Sequence, residues 1–451
     1  MRPPKPAARA DKVSLWRYMR LFRADILSAQ PARLYRAWMA EFRTVFFRSY
    51  LCNDPALIRQ VLKEEPDDFP KSERIGEGLR PLLGRSVFVT NGAEWQRQRR
   101  IINPAFEGGR LRHSFAPMHS AAKAAVARLA ARAGQVAEIE EIASHAAADV
   151  IFRTLFSLPI EDEIAAAVFH EFQRHQRGQP LLNLAAFIPL PGWLPRFHGR
   201  STKRTAGRIR RLIAGLTAAR MAAIKAGNAP QDLATKIMTT PDPETGTTFT
   251  AEEMTDQVAI FFLAGHETSA SALAWALYLL ALFPDMQDRA AHEAAELPED
   301  LAISDISGLS FIADVFRETL RLYPPVPMMV RESRRPVVFR GRDLAPGAQI
   351  VLSPWHLHRH EKLWDCPDDF DPDRWKTDAG RSSARTAYLP FSAGPRVCPG
   401  AGFAMLEGPL FLAMFLRQFR FEIAAGPKPV PVAHLTVRAR DGIRLSVLPR
   451  L

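Results

Sequence analysis

Apolar residues return every three or four positions through most of this chain, the interval at which side chains share one face of an α-helix. The pattern predicts helices over residues 31–42, 117–131, 160–176, 201–226, 251–283, 284–296 and 309–322. Punctuation sharpens several of them. Pro31 and Pro117 suit first-turn positions, where a missing N–H leaves no bond unmade. Thr250 followed by Glu253 reads as a capping box opening the longest helix, and Pro284 ends that helix or turns it sharply. β-Branched and aromatic stretches at 44–51, 336–339 and 349–352 predict short strands; the Pro- and Gly-bearing segments at 240–247 and 426–432 predict loops. No internal repeat or low-complexity tract appears. The expected fold class is mainly α with small β-sheets (α+β), as one large domain over 31–451 behind a basic arm at 1–30.

Composition narrows the function. The 451 residues carry 60 Lys+Arg against 48 Asp+Glu, a net charge of +12, and are 47% hydrophobic, which excludes a disordered or collagen-like chain. Eleven basic residues fall in the first fifty, opposed by Asp11, Asp25 and Glu41. Such a segment reads as a solvated arm, or as a surface for anionic lipid, nucleic acid or an acidic protein. Arg17, Arg20, Arg23 and Asp25 break any signal-peptide core, and the longest apolar run, 272–283, is too short to span a bilayer, so no transmembrane anchor is expected. No basic–aromatic nucleic-acid module is found. Three dispersed cysteines, Cys52, Cys366 and Cys398, form no CxxC pair, which argues against a zinc ribbon or a disulfide framework and for a reducing, cytoplasmic setting.

Cys398 stands in PFSAGPRVCPGAGFAMLE, a Gly-rich loop entering an apolar helix. A cysteine just before a helix start meets the positive end of the dipole, which favours thiolate, and Arg396 adds a cation two residues away. Pro399 suits a first-turn position, Gly394 and Gly400 permit close approach of something flat, and a lone thiolate suits a single metal bond. Read without further context, the same residue is a buried inert thiol. The spacing F-x-x-G-x-R-x-C-x-G, from Phe391 to Gly400, resembles the haem-binding loop of the cytochrome P450 family at each fixed position. The resemblance implies haem b, with Cys398 as the axial ligand of its iron and Gly400 N–H as a donor to the sulfur. It also implies a single triangular fold with haem between the long central helix and the helix of the Cys loop.

Other segments follow in the order that family requires. Glu318 and Arg321 share a helix face, and Phe370-Asp371-Pro372-Asp373-Arg374-Trp375 comes about fifty residues later. The pair resembles the family's E-x-x-R helix with its later arginine; by resemblance Glu318, Arg321 and Arg374 are structural. Asp373 and Trp375 stand where Glu and Phe are commoner. Ala264-Gly265-His266-Glu267-Thr268 lies within the longest helix, with Ala264 and Thr268 one turn apart. A threonine hydroxyl can bond back to a carbonyl one turn earlier and open a helix, and Gly265 gives room there. Alone, this is also a small-residue packing site with a surface acid. The resemblance makes it the oxygen-activation segment: Thr268 steadies activated dioxygen and Glu267 links it to solvent protons. His266 is expected to be packed or solvated, and an HExxH zinc site fails because Ala270 occupies the second position. Trp95 and Arg99, one helical turn apart, resemble the family's W-x-x-x-R propionate partners, with Arg396 and, among several nearby arginines, Arg331 completing the set.

Haem-thiolate oxygenation needs two external electrons. No GxGxxG and no iron–sulfur cysteine set is present, so the resemblance implies a separate partner: ferredoxin with its reductase, or a flavoprotein. A basic face at Arg97, Arg99 and Arg100 is the expected docking patch. The apolar stretch 180–197 reads either as a loop burying its own residues or as a lid that admits an apolar substrate or brushes a membrane. Pocket contacts are expected from 75–90, Phe261 and Ala264. The expectation is an O2-dependent monooxygenase acting, as a monomer, on a hydrophobic molecule by hydroxylation or epoxidation. A peroxide-dependent enzyme of the same fold and a non-catalytic haem-thiolate sensor are the alternatives.

Overall fold

The computed structural model describes residues 2–43, 48–107, 109, 111–178, 199–433 and 435–450. The chain runs through α1 (Leu15–Ala24), a 3-10 turn at Ala32–Tyr35, and the hairpin β1 (Met39–Arg43) and β2 (Arg48–Cys52). Helices α2 (Pro55–Arg59), α3 (Glu73–Leu83), α4 (Gly92–Phe106) and α5 (Leu111–Ala130) follow, then β3 (Val136–Glu138). A helical block comprises α6 (Ile139–Phe156), α7 (Glu163–Gly178), α8 (Arg200–Lys225), α9 (Leu233–Thr239), α10 (Ala251–Leu282), α11 (Pro284–Ala295), α12 (Ile303–Gly308) and α13 (Ser310–Leu322). The remainder alternates β4 (Met329–Glu332), β5 (Val337–Phe339), β6 (Arg342–Leu344), β7 (Gln349–Leu352), α14 (Pro354–Leu357), α15 (Asp378–Ala387), α16 (Ala401–Gln418), β8 (Phe419–Ile423), β9 (Pro431–Ala433), β10 (Val437–Ala439) and β11 (Arg444–Pro449).

The longest helix, α10, is the spine. Its first turn is closed as expected: Glu253 N–H donates to Thr250 Oγ1 at 3.2 Å and Thr250 N–H donates to Glu253 Oε2 at 2.8 Å. It is apolar nearly all round, so it buries nearly all round, packing against α6, α8, α13 and α16. Gly265 lets α6 approach: a Cβ there would collide with the Ile151 side chain. The helix ends before Pro284, where the chain bends by 115° into α11. The sheets are peripheral: a four-stranded β1-β2-β7-β4 in which only β2 and β7 run parallel, a three-stranded antiparallel β3-β11-β8, and the hairpins β5-β6 and β9-β10.

The structure corrects several local expectations. The stretch 31–42 is not a helix but a 3-10 turn followed by β1, because Leu34 and Tyr35 are buried, Trp38 stacks on His360 at 4.4 Å, and β1 has a partner strand in β2. Pro117 lies inside α5, not at its first turn: the helix starts at Leu111, whose side chain lies against Gly402. The strand expected over 44–51 is found as β2, with 44–47 outside the described residues. The N-terminal residues lie on the body: Lys5 Nζ bonds Asp368 at 2.9 Å, and Tyr323 Oη donates to Pro4 O at 2.8 Å. Among the described residues no single helix is long and apolar enough to cross a membrane; α10 and α11 meet that test only as a bent pair, and α10 is interior.

Candidate functional site

The Cys loop owes its shape to glycine at one position. Gly394 adopts φ +67°, and a Cβ there would collide with the Leu62 carbonyl. Its permissiveness therefore serves the loop's seat on the chain's own backbone. Gly400, with φ −84°, needs no such freedom; it contributes its N–H to the Cys398 sulfur. Cys398 N–H donates to Phe391 O at 2.9 Å, which closes the loop, and Phe391 packs half-buried against the main core. The helix begins at Ala401, so Pro399 sits in the turn ahead of it and not in the first turn. Cys398 is accessible yet enclosed, and the enclosure raises its thiol above the usual value against the opposing pull of Gly400 N–H and Arg99. The expected helix-start preference for thiolate is thus outweighed by burial in the free chain; coordination to a metal would restore it. Cys52 is buried, with its thiol pushed up to about 12.

Beside the loop the structure gathers four cations. Lys71 and Arg331 face each other across an antiparallel bridge, and Arg396 stacks on Trp95 with its guanidinium carbon 4.4 Å from the ring. Arg99 Nη1 donates to Val397 O at 2.9 Å. Asn91 Oδ1 accepts from both Arg396 Nη1 and Lys71 N–H, each at 3.0 Å. None of the four forms an ion pair with a described carboxylate, and the Nε atoms of Arg99, Arg331 and Arg396 are buried without a partner. Burial depresses all four, and repulsion within the cluster adds to it at two: Lys71 falls well below the ordinary lysine value, and Arg331 falls to about 10. The geometry also chooses among neighbouring arginines, since Arg335 is spent on Glu65 and Asp68 while Arg331 stays in the cluster. Lys71 and Asn91 were missed by sequence reading. Asn91, at the N-cap of the Trp95 helix, carried a local signal; Lys71 carried none.

On α10, Ala264 is exposed although Phe262 and Leu263 beside it are buried, so the spine opens on one face at mid-length. Thr268 Oγ1 donates to Ala264 O at 2.6 Å, the expected back-bond, yet the helix runs continuously through it. Glu267 is not a surface acid. It is buried, accepts from Gln176 Nε2 and, at 3.2 Å, from Thr436 Oγ1, and has Arg438 at 4.0 Å. Burial raises its carboxyl above the usual range. These three partners, distant in sequence, left no local mark. His266 is packed as expected: its Nε2 lies 2.7 Å from Ser144 Oγ, its ring lies against Phe262 and Phe169, and burial lowers it to about 3. Ser269 Oγ donates to Glu407 Oε2 at 2.5 Å, tying α10 to α16.

Glu318, Arg321 and Arg374 meet in the interior. Arg321 donates to both Glu318 oxygens at 2.9 and 2.7 Å, and Arg374 Nε donates to Glu318 Oε1 at 3.2 Å. The remaining guanidinium protons of Arg321 go to the carbonyls of His358, Pro367 and Asp369, and Arg374 also donates to the carbonyls of Asp365 and Cys366. The basic docking face expected at Arg97, Arg99 and Arg100 is corrected. Arg97 pairs with Glu253, Arg100 with Asp242 and Glu244, and Arg99 belongs to the cation cluster, so the patch is largely neutralised within the chain. The stretch 180–197 lies outside the described residues.

A lone accessible thiol with a backbone donor, four cations lacking a counter-anion among the described residues, and an open small-residue face on α10 form a donor set that fits an iron porphyrin with two carboxylates. Comparison with known proteins agrees. A family model described as Cytochrome P450 matches residues 28–447. Cyclooctat-9-en-7-ol 5-monooxygenase of Streptomyces melanosporofaciens is 30% identical over 426 residues, covering 93% of this chain and 87% of that protein. A cytokinin hydroxylase of Arabidopsis thaliana is 28% identical over 407 residues, covering 88% and 78%. The crystal structure of the cytochrome P450DA heme domain superposes with a TM-score of 0.83 at 23% identity, covering 100% of this chain and 99% of that one, which speaks for the fold. Fold, family model and relatives converge: the chain belongs to the cytochrome P450 family, and is a haem-thiolate monooxygenase that binds haem b.

Proposed function

We propose that Cys398 would hold the haem iron through its thiolate, that Trp95, Arg99, Arg331 and Arg396, joined by Lys71, would hold the haem propionates, and that Phe391, Gly400 and Ala264 would line the group. When bound, haem b supplies the redox chemistry of dioxygen reduction and O–O cleavage, favoured by electron donation from a thiolate. The rest falls to the chain's side chains. The Gly400 N–H steadies the charge on the sulfur. Thr268 holds a hydroxyl at the open face of α10, with its proton parked on Ala264 O and its lone pairs free to accept. Glu267, enclosed, binds a proton more readily than a surface acid does and can pass that proton on when a site nearby becomes more basic. Arg438, half-exposed, stands between Glu267 and the surface and marks the side from which that proton is replaced. The observation that carries this reading is the Thr268–Ala264 back-bond with a clamped, buried acid, Glu267, immediately before the threonine.

The substrate is read as a small hydrophobic molecule undergoing C–H hydroxylation or C=C epoxidation. Support comes from the accessible Ala264, from Phe88, 43% exposed in the segment before Trp95, and from the relative named a cyclooctat-9-en-7-ol 5-monooxygenase. Electrons are read as coming from a ferredoxin or flavoprotein, the family's need for two external electrons being met by no flavin, nicotinamide or iron–sulfur fingerprint within these 451 residues. The enzyme is read as a monomer, and as cytoplasmic, the latter in keeping with three free cysteines.

Two substitutions test the assignment. Thr268→Ala is expected to retain haem but divert most reducing equivalents to peroxide, measured as product formed per NAD(P)H consumed with a surrogate ferredoxin system; unchanged coupling would falsify the relay. Cys398→Ser is expected to abolish the red-shifted ferrous–CO absorption, and its persistence would remove Cys398 from the axial position. A screen of compound libraries for substrate-type spin-state shifts, followed by product identification, would name the substrate.

A further inference from the structure

We propose that α1 is a docking surface for an anionic lipid membrane, lying flat with Trp16 among the headgroups and Arg17, Arg20 and Arg23 against lipid phosphates. The helix has two unlike faces. Tyr18 and Phe22 turn inward: their rings lie 5.5 Å apart, Tyr18 also stacks on Phe42 at 6.4 Å, and Phe22 packs against the main core. Trp16, Arg20 and Arg23 stand four and three residues apart, so they form one stripe on the other face, with Arg17 and Ala24 beside it. All five are exposed, and Trp16 is 80% exposed, the highest value among the exposed large apolar side chains.

The charge on this face is uncompensated. No acid occupies α1, and none of Arg17, Arg20 and Arg23 forms an ion pair with a described carboxylate. The nearest acid in sequence, Asp25, is turned inward, where its carboxylate accepts from the N–H groups of Leu27, Ser28 and Ala433. The adjoining β1–β2 hairpin, reached through the Tyr18–Phe42 contact, adds exposed Arg43 and Arg48; its Glu41 is already shared by Arg43 and Arg342.

An amphipathic indole set among arginines on a surface helix suits the boundary between water and acyl chains, where the ring buries its body and the cations meet phosphates. A protein partner fits less well. Ten residues make a helix about 15 Å long, and one face of it offers a small part of the roughly 800 Å² per side that a stable protein interface buries. A lipid surface needs no shaped counterpart, only anionic headgroups.

The haem-loaded protein is mixed with vesicles of phosphatidylcholine alone, or with an equal share of phosphatidylglycerol, and bound protein is separated by flotation at low and high salt. Binding is expected to the phosphatidylglycerol vesicles only, to weaken with salt, and to fall on the order of a hundredfold in Arg17→Glu/Arg20→Glu/Arg23→Glu. Brominated lipid should quench a fluorescence component that Trp16→Phe lacks. An unchanged ferrous–CO spectrum establishes that the variants are folded, since these side chains lie on an outer face. Failure of the intact protein to bind phosphatidylglycerol vesicles overturns the proposal, as does equal binding by the triple variant or by phosphatidylcholine alone. So does a result in which the triple substitution weakens only capture of an acidic ferredoxin, which would assign the face to a protein.

Discussion

Lys71, Arg99, Arg331 and Arg396 repel one another, and the chain supplies no ion-pairing carboxylate to any of them among its described residues. A site built this way is costly when empty of its dianion and favourable when filled, so removing one cation should act with opposite signs on the two forms. Arg331→Ala is expected to leave the haem-free chain as stable as the parent or more so. In the loaded protein it should weaken haem retention by about tenfold or more, the order of one charge-assisted hydrogen bond. Thermal unfolding of both forms, with haem transfer to a scavenger protein, checks the pair of signs; equal destabilisation of both forms would show that Arg331 serves only packing. Glu267 makes a related point. A carboxylate one residue from the key threonine sounds like a solvent contact, but Gln176 and Thr436 clamp it in the interior, and its proton affinity is set by that enclosure.

At the scale of elements, the proposed chemistry falls on α10 and at the start of α16, and the Glu318 triad ties the segment after α14 to α13. Two buried arginines share one buried carboxylate, which also accepts from Asp371 N–H, and the arginines' other bonds run to carbonyls in the segment 358–369. That segment has little secondary structure of its own, so its shape depends on those bonds. Glu318→Ala leaves two uncompensated cations in the interior, for which about 3–5 kcal/mol is the usual loss. The expected outcome is a urea midpoint lowered accordingly, or failure to accumulate folded protein, while Glu318→Gln, which keeps the shape but not the charge, falls between. A Glu318→Ala variant of parental stability would remove the triad from the fold's support.

For the whole molecule, acid stability is a contest between two sets of buried groups. His266, His356 and His358 are lowered to about 3 by burial. Below the ordinary histidine range the unfolded chain binds protons there that the native protein refuses, so these groups make stability rise with pH up to about 6.5. Glu407 and Glu140, raised to about 7 mainly by burial, act the other way: from about 4.5 to 7 the unfolded chain has released protons the native protein keeps, and stability falls as pH rises. Glu407→Gln removes one such term. The unfolding free energy of that variant minus the parent's is expected to climb by up to about 1.4 kcal/mol per pH unit between those limits and to stay flat outside them. A difference independent of pH would mean that Glu407 titrates normally.

Much was legible in the sequence itself. The helix bounds of α8, α10, α11 and α13, the capping box at Thr250 and the turn at Pro284 were set by interactions within a few residues, and periodicity reports those directly. The Cys loop, the Glu318–Arg321 pair and the Ala264–Thr268 turn were visible for the same reason: each function needs fixed residue types at short spacing. The stretch 31–42 misled because its pattern permits a helix, and strand pairing with 48–52 overrules it. Only the tertiary structure seated Lys71 opposite Arg331, spent Arg335 on Glu65 and Asp68 instead, consumed Arg97 and Arg100 in ion pairs, and buried Glu267 beneath Arg438. Local backbone preference and side-chain periodicity are encoded in neighbours along the chain; charge compensation and proton affinity depend on which distant groups come within a few ångströms, and folding alone decides that.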